Sequence, residues 1–197
     1  MRYELLRVTK TGSESLLRAF RDSPDIKVHE TTKGHDVALH HVPDERIAIV
    51  SLRDPVRRFR SGYDMNFRDN HRNIRERYPT ASHFAEALPD IMHDAEWGYT
   101  YRPQILWTGG AERMKERNVI WCLTEDIDDL IRTFAGNADG IHQHGVHWNS
   151  QDHFGLPRST LTPLAINAIM QAYRADFRML RQLGVRDDYF EYSKGRA

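Results

Sequence analysis

A chain of 197 residues that carries 28 Lys and Arg against 28 Asp and Glu has no net charge to draw it to a polyanion. A nucleic-acid partner is therefore not expected, and any anion site must come from local clustering. The length suffices for one domain with a real core, so a single domain over residues 1–197 is the expectation, and the lone Cys122 excludes an internal disulfide framework, fits a reducing compartment and reads as a core residue.

Residues 1–4 do not resemble a signal peptide, and no run approaches the roughly 18 apolar residues of a membrane span, so a cytoplasmic protein without membrane insertion is expected. The first element, YELLRVT at 3–9, is short and apolar, and a Gly-containing turn and SLLRAFR follow it, which reads as strand, loop, helix. Pro24 closes that helix, and IKVHETT at 26–32 has the composition of a second strand. RIAIVSL at 46–52 is a nearly continuous apolar run with β-branched residues, the pattern of a central strand buried on both faces of a parallel sheet. Pro55 suits a first helical turn, where its missing N–H would be unpaired anyway, and predicts a helix over about 55–66.

Farther on, ASHFAEALPDIMHDA at 81–95 reads helical with a kink or break at Pro89, and NVIWCLT at 118–124 reads as a strand. Asp126–Ala135 reads as a helix capped by Gly136. A last long helix runs from Thr162-Pro163 to just before Gly184, with Ile166, Ile169, Tyr173, Phe177, Leu180 and Leu183 at core-facing steps of three and four. Residues 136–159 form the loopiest stretch. Strands alternating with helices predict an α/β fold with a central, mostly parallel sheet, whose ligands collect at the strand C-termini.

Two loops fall on that edge. Lys10-Thr11-Gly12-Ser13-Glu14-Ser15 enters a helix from a strand, where unpaired N–H groups and the helix dipole favour an anion. Gly12 permits close backbone approach, Ser13 and Ser15 bring hydroxyls and Lys10 a point charge. The pattern is not a Walker loop, because the Lys precedes the Gly. The second loop, Arg53-Asp54-Pro55, ends the central strand, with Ser61 eight residues after Arg53; one Arg and one Ser could clasp a second phosphate. For Arg57, Arg58 and Arg60 a solvated helix face is the favoured reading, and structural pairing of Arg53 with Asp54 or another acid is the bland alternative for that loop.

KTGSESL at 10–16 together with SLRDPVRRFRSGY at 51–63 resembles the two donor-binding motifs of the carbohydrate sulfotransferase superfamily, which use 3′-phosphoadenosine 5′-phosphosulfate (PAPS). Residues 34–55, 122–134 and 161–184 extend the resemblance. It implies a three-layer P-loop NTPase-like fold and transfer of a sulfuryl group from PAPS, leaving PAP (3′-phosphoadenosine 5′-phosphate). It further implies that Lys10, Thr11, Gly12, Ser13, Glu14 and Ser15 hold the 5′-phosphosulfate, mostly through backbone N–H, and that Arg53 and Ser61 hold the 3′-phosphate. The acceptor is expected to be a hydroxyl (or an amine), on a carbohydrate, a lipid, a small metabolite or a peptide, and the stretches where its recognition would lie fall outside the resemblance. No metal is required, because Lys10 and the loop amides can stabilise the leaving phosphate.

Transfer to a hydroxyl needs a base near neutral pH, and histidine has the closest unperturbed pKa. The G-H element of the resembled family places the base at His35, with His40, His41 and Glu30 as alternatives. His142, His144, His147 and His153 lack the spacing of a metal site. The resemblance also implies that Asn149 and Ser150 belong to a loop closing over the donor. Trp97, Tyr101, Arg102 and Gln104 could line an acceptor cleft, with packing the plainer reading for Trp97 and Tyr101. Two other functions compete. A nucleotide kinase would need Thr11 to organise Mg²⁺ and an acid such as Glu125 to end a strand; a non-catalytic nucleotide- or polyanion-binding protein would rest on the Arg-rich stretch 53–77 alone.

Overall fold

A computed structural model describes residues 2–29, 35–92, 94, 97–136, 141 and 158–195. In chain order the strands and helices are β1 (Arg2–Leu6), α1 (Ser13–Phe20), β2 (Ile26–Lys27), β3 (Arg46–Leu52), α2 (Pro55–Arg68), α3 (Ile74–Arg77), α4 (Ala81–Glu86) and α5 (Leu88–Ile91). These are followed by α6 (Gly98–Tyr101), α7 (Ile105–Thr108), α8 (Ala111–Glu116), β4 (Ile120–Leu123), α9 (Ile127–Ala135), α10 (Pro163–Ala172) and α11 (Arg174–Gln182). The chain divides into two compact units, residues 1–53 with 104–153 and residues 54–103 with 154–197.

The first unit is built on a four-stranded sheet in the order β2-β1-β3-β4, and every pairing is parallel. Central β3 is buried continuously from Ala48 to Leu52, as its β-branched run requires. On one face Leu5, Ile49 and Cys122 pack with Leu16, Leu17 and Phe20 of α1 and with Ile127, Ile131 and Phe134 of α9. Phe134 closes this core edge-on against Tyr3, with ring centroids 5.1 Å apart. Each such side chain, fully buried, stabilises the fold by roughly 1.5–3 kcal/mol. Burial pushes the Cys122 thiol up to about 12, with Asp126 and Glu125 adding to the effect, so it stays protonated and is a core residue, as expected.

Two sequence expectations change here. Of the strand expected over 26–32, only Ile26 and Lys27 among the described residues pair with β1, and residues 30–32 lie outside the described residues. Val28 and His29 leave the ladder because the His29 ring bonds Glu4 at 2.9 Å and its carbonyl accepts from Arg7 at 2.6 Å. Gly136 does end α9, but with right-handed φ −76°, so the left-handed glycine cap is not used.

The second unit is helical. Asp54 caps α2 by accepting the Arg57 N–H at 2.8 Å, and Pro55 fills the first turn. The α4–α5 break falls at Ala87, two residues ahead of Pro89, which sits in the first turn of α5. Phe84 is the hub of an aromatic core, with ring centroids of Tyr101, Trp97, Tyr63 and Phe59 at 4.8, 5.4, 5.7 and 5.9 Å. Gly62 lets α2 approach α6, since a Cβ there would lie 2.9 Å from Thr100 Cγ2. The expected long C-terminal helix is divided at Tyr173, whose φ of −102° and ψ of 24° leave the helical region. Its hydroxyl donates to the Tyr101 carbonyl at 2.7 Å and Arg58 lies over its ring. Ile169, Tyr173, Phe177 and Leu180 are buried as expected, whereas Ile166 and Leu183 are half-buried. No helix among the described residues is long and apolar enough to cross a membrane.

Candidate functional site

The chain leaves β1 toward β2 on one side of the sheet and leaves β3 toward β4 on the other. Such a reversal opens a crevice beyond the strand C-termini, the usual ligand position of an open parallel sheet. The loops after β1 and after β3 both start there. They touch: Arg53 Nη1 donates to the Lys10 carbonyl at 3.4 Å, and Thr11 Oγ1 lies 3.1 Å from Ser51 Oγ.

The loop after β1 is conformationally unusual. Lys10 has φ 61° and Gly12 φ 79°, so two left-handed residues lie within three positions, one of them not glycine. A left-handed lysine costs about 1–2 kcal/mol, a strain that points to a functional position. Gly12 is also the N-cap of α1 and, having no side chain, leaves that helix start without a side-chain cap. The first N–H groups of α1, from Ser13 and Glu14, have no intrahelical acceptor by the geometry of a helix. A helix start of this kind, with its dipole, favours a negative charge by general principle.

The loop is held from beneath. Thr11 Oγ1 donates to the Val8 carbonyl at 2.9 Å in a fully buried position, so Thr11 offers a ligand its backbone and not its hydroxyl. Thr124, just past β4, donates its hydroxyl to the carbonyls of Thr11 at 2.9 Å and Leu52 at 3.1 Å, tying both loops to one side chain. A Cβ on Gly12 would stand 2.3 Å from Ile127 Cδ1, so any other residue would have to push that methyl aside and would also be strained at φ 79°. Gln104 grips Arg53 at both ends of its backbone, accepting from its N–H at 2.9 Å and donating to its carbonyl at 2.8 Å. That overturns the reading of Gln104 as an acceptor-cleft residue. Nothing in the sequence beyond the resemblance over 122–134 marks Thr124 as a site residue, and nothing marks Gln104 as a clamp on Arg53.

His35 belongs to the same unit. Its Nδ1 lies 2.6 Å from the Arg7 carbonyl, which can only accept, so Nδ1 carries the proton and Nε2 keeps the lone pair. Burial lowers its pKa below the ordinary 6.5, opposed by the Arg7 carbonyl bond and helped by the Arg7 charge. A neutral imidazole with a fixed tautomer is a competent base. Arg7 itself is buried and pairs with Glu14 at 3.1 Å, while Arg18 approaches Glu14 at 3.5 Å. The Glu14 carboxylate is thus neutralised beside the start of α1, and Glu14 has only its N–H to offer an anion. His40 and His41 are exposed, with ring centroids 3.9 Å apart and the planes tilted by 48°, and His41 Nδ1 accepts from the Ala38 N–H.

Ser13 and Ser15 are buried in the first turn of α1. Ser61 lies in the second unit, half-buried within α2. Arg57, Arg58 and Arg60 of that helix do not form a solvated face. Arg60 pairs with Glu191 at 2.5 Å, Arg57 approaches it at 4.0 Å and lies over Tyr189, and buried Arg58 donates to the Thr100 carbonyl. Nor does Asp54 bind Arg53: its two oxygens accept from Arg57 N–H and Glu191 N–H. Trp97 and Tyr101 are buried in the aromatic core, and Arg102 lies 4.6 Å over Tyr99. Glu30, Gly34, His142, His144, His147, Asn149, Ser150 and His153 lie outside the described residues. No protein-family model matches the chain, and neither a curated protein nor a solved structure does.

Proposed function

We propose that the chain is a sulfotransferase that takes a sulfuryl group from PAPS and delivers it to a hydroxyl acceptor. The observation that carries the reading is the contact of the two loops at the switch point: an uncapped helix start with Lys10 on one side, Arg53 on the other, joined at the Lys10 carbonyl. Two anion-binding elements side by side suit a ligand with phosphates at both ends of a nucleoside, which is what distinguishes PAP and PAPS from a simple 5′-nucleotide. The sheet and its loop-to-helix entry suit a three-layer P-loop-like fold, and we read it so.

PAPS supplies a sulfuryl group already activated on a phosphate leaving group. The chain's own part is then positioning and charge. Backbone N–H groups of residues 12–15 and the Lys10 ammonium would hold the 5′ end, and Lys10 would offset the negative charge that grows on the leaving oxygen. Arg53 would hold the 3′-phosphate. His35 Nε2 would accept the proton of the attacking hydroxyl as the new O–S bond forms. The acceptor is a carbohydrate, a lipid or a small metabolite in this reading.

The kinase reading is weaker on a specific observation. The Thr11 hydroxyl, which would have to organise Mg²⁺, is buried and bonded to the Val8 carbonyl, and Glu125 is exposed beyond β4. Thermal unfolding with PAP beside ATP–Mg²⁺ separates the two. Near one hundred times Kd, a ligand adds about 2.7 kcal/mol to the folded state. A clear upward shift with PAP and little with ATP supports the proposal; equal shifts, or none with PAP, would sink it. PAP binding without transfer to any acceptor would instead favour a non-catalytic nucleotide-binding protein.

A further inference from the structure

Arg53 is the first residue beyond the β3–β4 ladder, whose last pair is Leu52 with Leu123. Its peptide N–H and carbonyl therefore have no strand partner in that ladder. Gln104, 51 residues away, is completely buried and supplies both partners through one side-chain amide, as a neighbouring strand would. The amide is itself anchored. The Gln104 carbonyl accepts from the Trp107 N–H at 3.0 Å as α7 begins, and Trp107 Nε1 donates to the His35 carbonyl at 2.6 Å. One short helical turn thus fixes the backbone of Arg53 and touches the segment that carries His35.

We propose that Gln104 is a positioning residue that gives this site its preference for a 3′-phosphate, acting by holding Arg53. The inference rests on the PAPS reading, in which Arg53 meets that phosphate. A guanidinium binds an anion through directional, charge-assisted hydrogen bonds, so a small displacement of the residue's backbone costs binding. The bonds from Gln104 stop the first residue past the strand from shifting, and the Arg53 side chain then starts from a fixed point beside the Lys10 carbonyl. Adenosine 5′-monophosphate lacks the 3′ group and has nothing to lose when Arg53 is misplaced.

Calorimetric affinities for PAP and for adenosine 5′-monophosphate, on the full chain and its variants, test this. Gln104→Met keeps the side chain's length and removes both bonds. PAP should weaken by about tenfold while the monophosphate changes by less than about twofold. Arg53→Gln should erase the preference for PAP, and adding Gln104→Met to it should cause no further loss, since one residue acts through the other. Gln104→Glu, which still accepts the Arg53 N–H but opposes its carbonyl with an oxygen, should move the same ratio in the same direction if Gln104→Met does not fold. Parallel weakening of both ligands would make Gln104 a general support and overturn the proposal, as would additive losses in the double variant. A wild-type chain that does not prefer PAP overturns the donor reading itself, and that is read before any variant is made.

Discussion

Arg53 and the arginines that follow it in α2 are separated by only a few residues, yet the fold treats them in opposite ways. Arg53 is held by its backbone, through Gln104, with its guanidinium set against the loop that carries Lys10. Arg57, Arg58 and Arg60 are held by their side chains, on Glu191, on Tyr189 and on the Thr100 carbonyl. A run of basic residues is thus not one feature. Arg53 has its backbone clamped and its guanidinium turned to a loop backbone, whereas its neighbours spend their side chains on a carboxylate, a ring and a carbonyl within the helical unit.

The contrast can be broken experimentally, starting where the effect should be greatest. Lys10→Ala should reduce sulfuryl transfer by about 100-fold or more while leaving the unfolding transition in place, because it removes charge stabilisation without touching the core. Unchanged turnover would remove Lys10, and with it the donor side of the comparison. Gly12→Ala places a methyl 2.3 Å from Ile127 Cδ1 at φ 79°, and urea unfolding should show a loss of roughly 1–3 kcal/mol. A neutral result would mean that the loop is not held from beneath.

His35 gives a pH-dependent test of intermediate size. Its folded pKa is lowered below 6.5, so in the window between the two values the unfolded chain binds the proton more readily. The His35 contribution to stability is therefore fully present above 6.5 and is lost as pH falls through the folded value. The acid limb of kcat/KM should likewise lie below 6.5, and His35→Asn should remove that limb together with most of the activity. A limb above 6.5 would assign the base elsewhere. The smallest effect belongs to α2: Arg57→Gln and Arg60→Gln should each cost about 1 kcal/mol or less and leave PAP affinity within about twofold. A tenfold loss of PAP affinity in either would erase the distinction between Arg53 and its neighbours.

Much of this plan was legible locally. β3 occupies Arg46–Leu52 as its apolar run implies, α2 starts at Pro55, and the loop at Lys10 leads into α1. What the sequence hid is carried by bonds between distant residues. Nothing near Gln104 announces that its amide will grip a residue 51 positions earlier, and Thr124 reaches back 113 positions to the Thr11 carbonyl. The early end of β2 follows from the pull of Glu4 and Arg7 on His29, and the division at Tyr173 follows from its bond to Tyr101, in a segment with neither Gly nor Pro to mark it. Periodicity reports which face of an element is apolar, not which carbonyl a hydroxyl will find.

The contact between Gly12 and the Ile127 methyl bears on how far such a loop can travel. Residues 10–15 look like a portable cassette, six positions that could be spliced between any strand and helix. Their shape, however, is cast on a mould that the chain supplies more than a hundred residues later, where Thr124 and Ile127 meet the underside of the turn. Transplanted alone, the cassette would keep its letters and lose its form. A designer who wants the turn must carry the end of β4 and the start of α9 along with it.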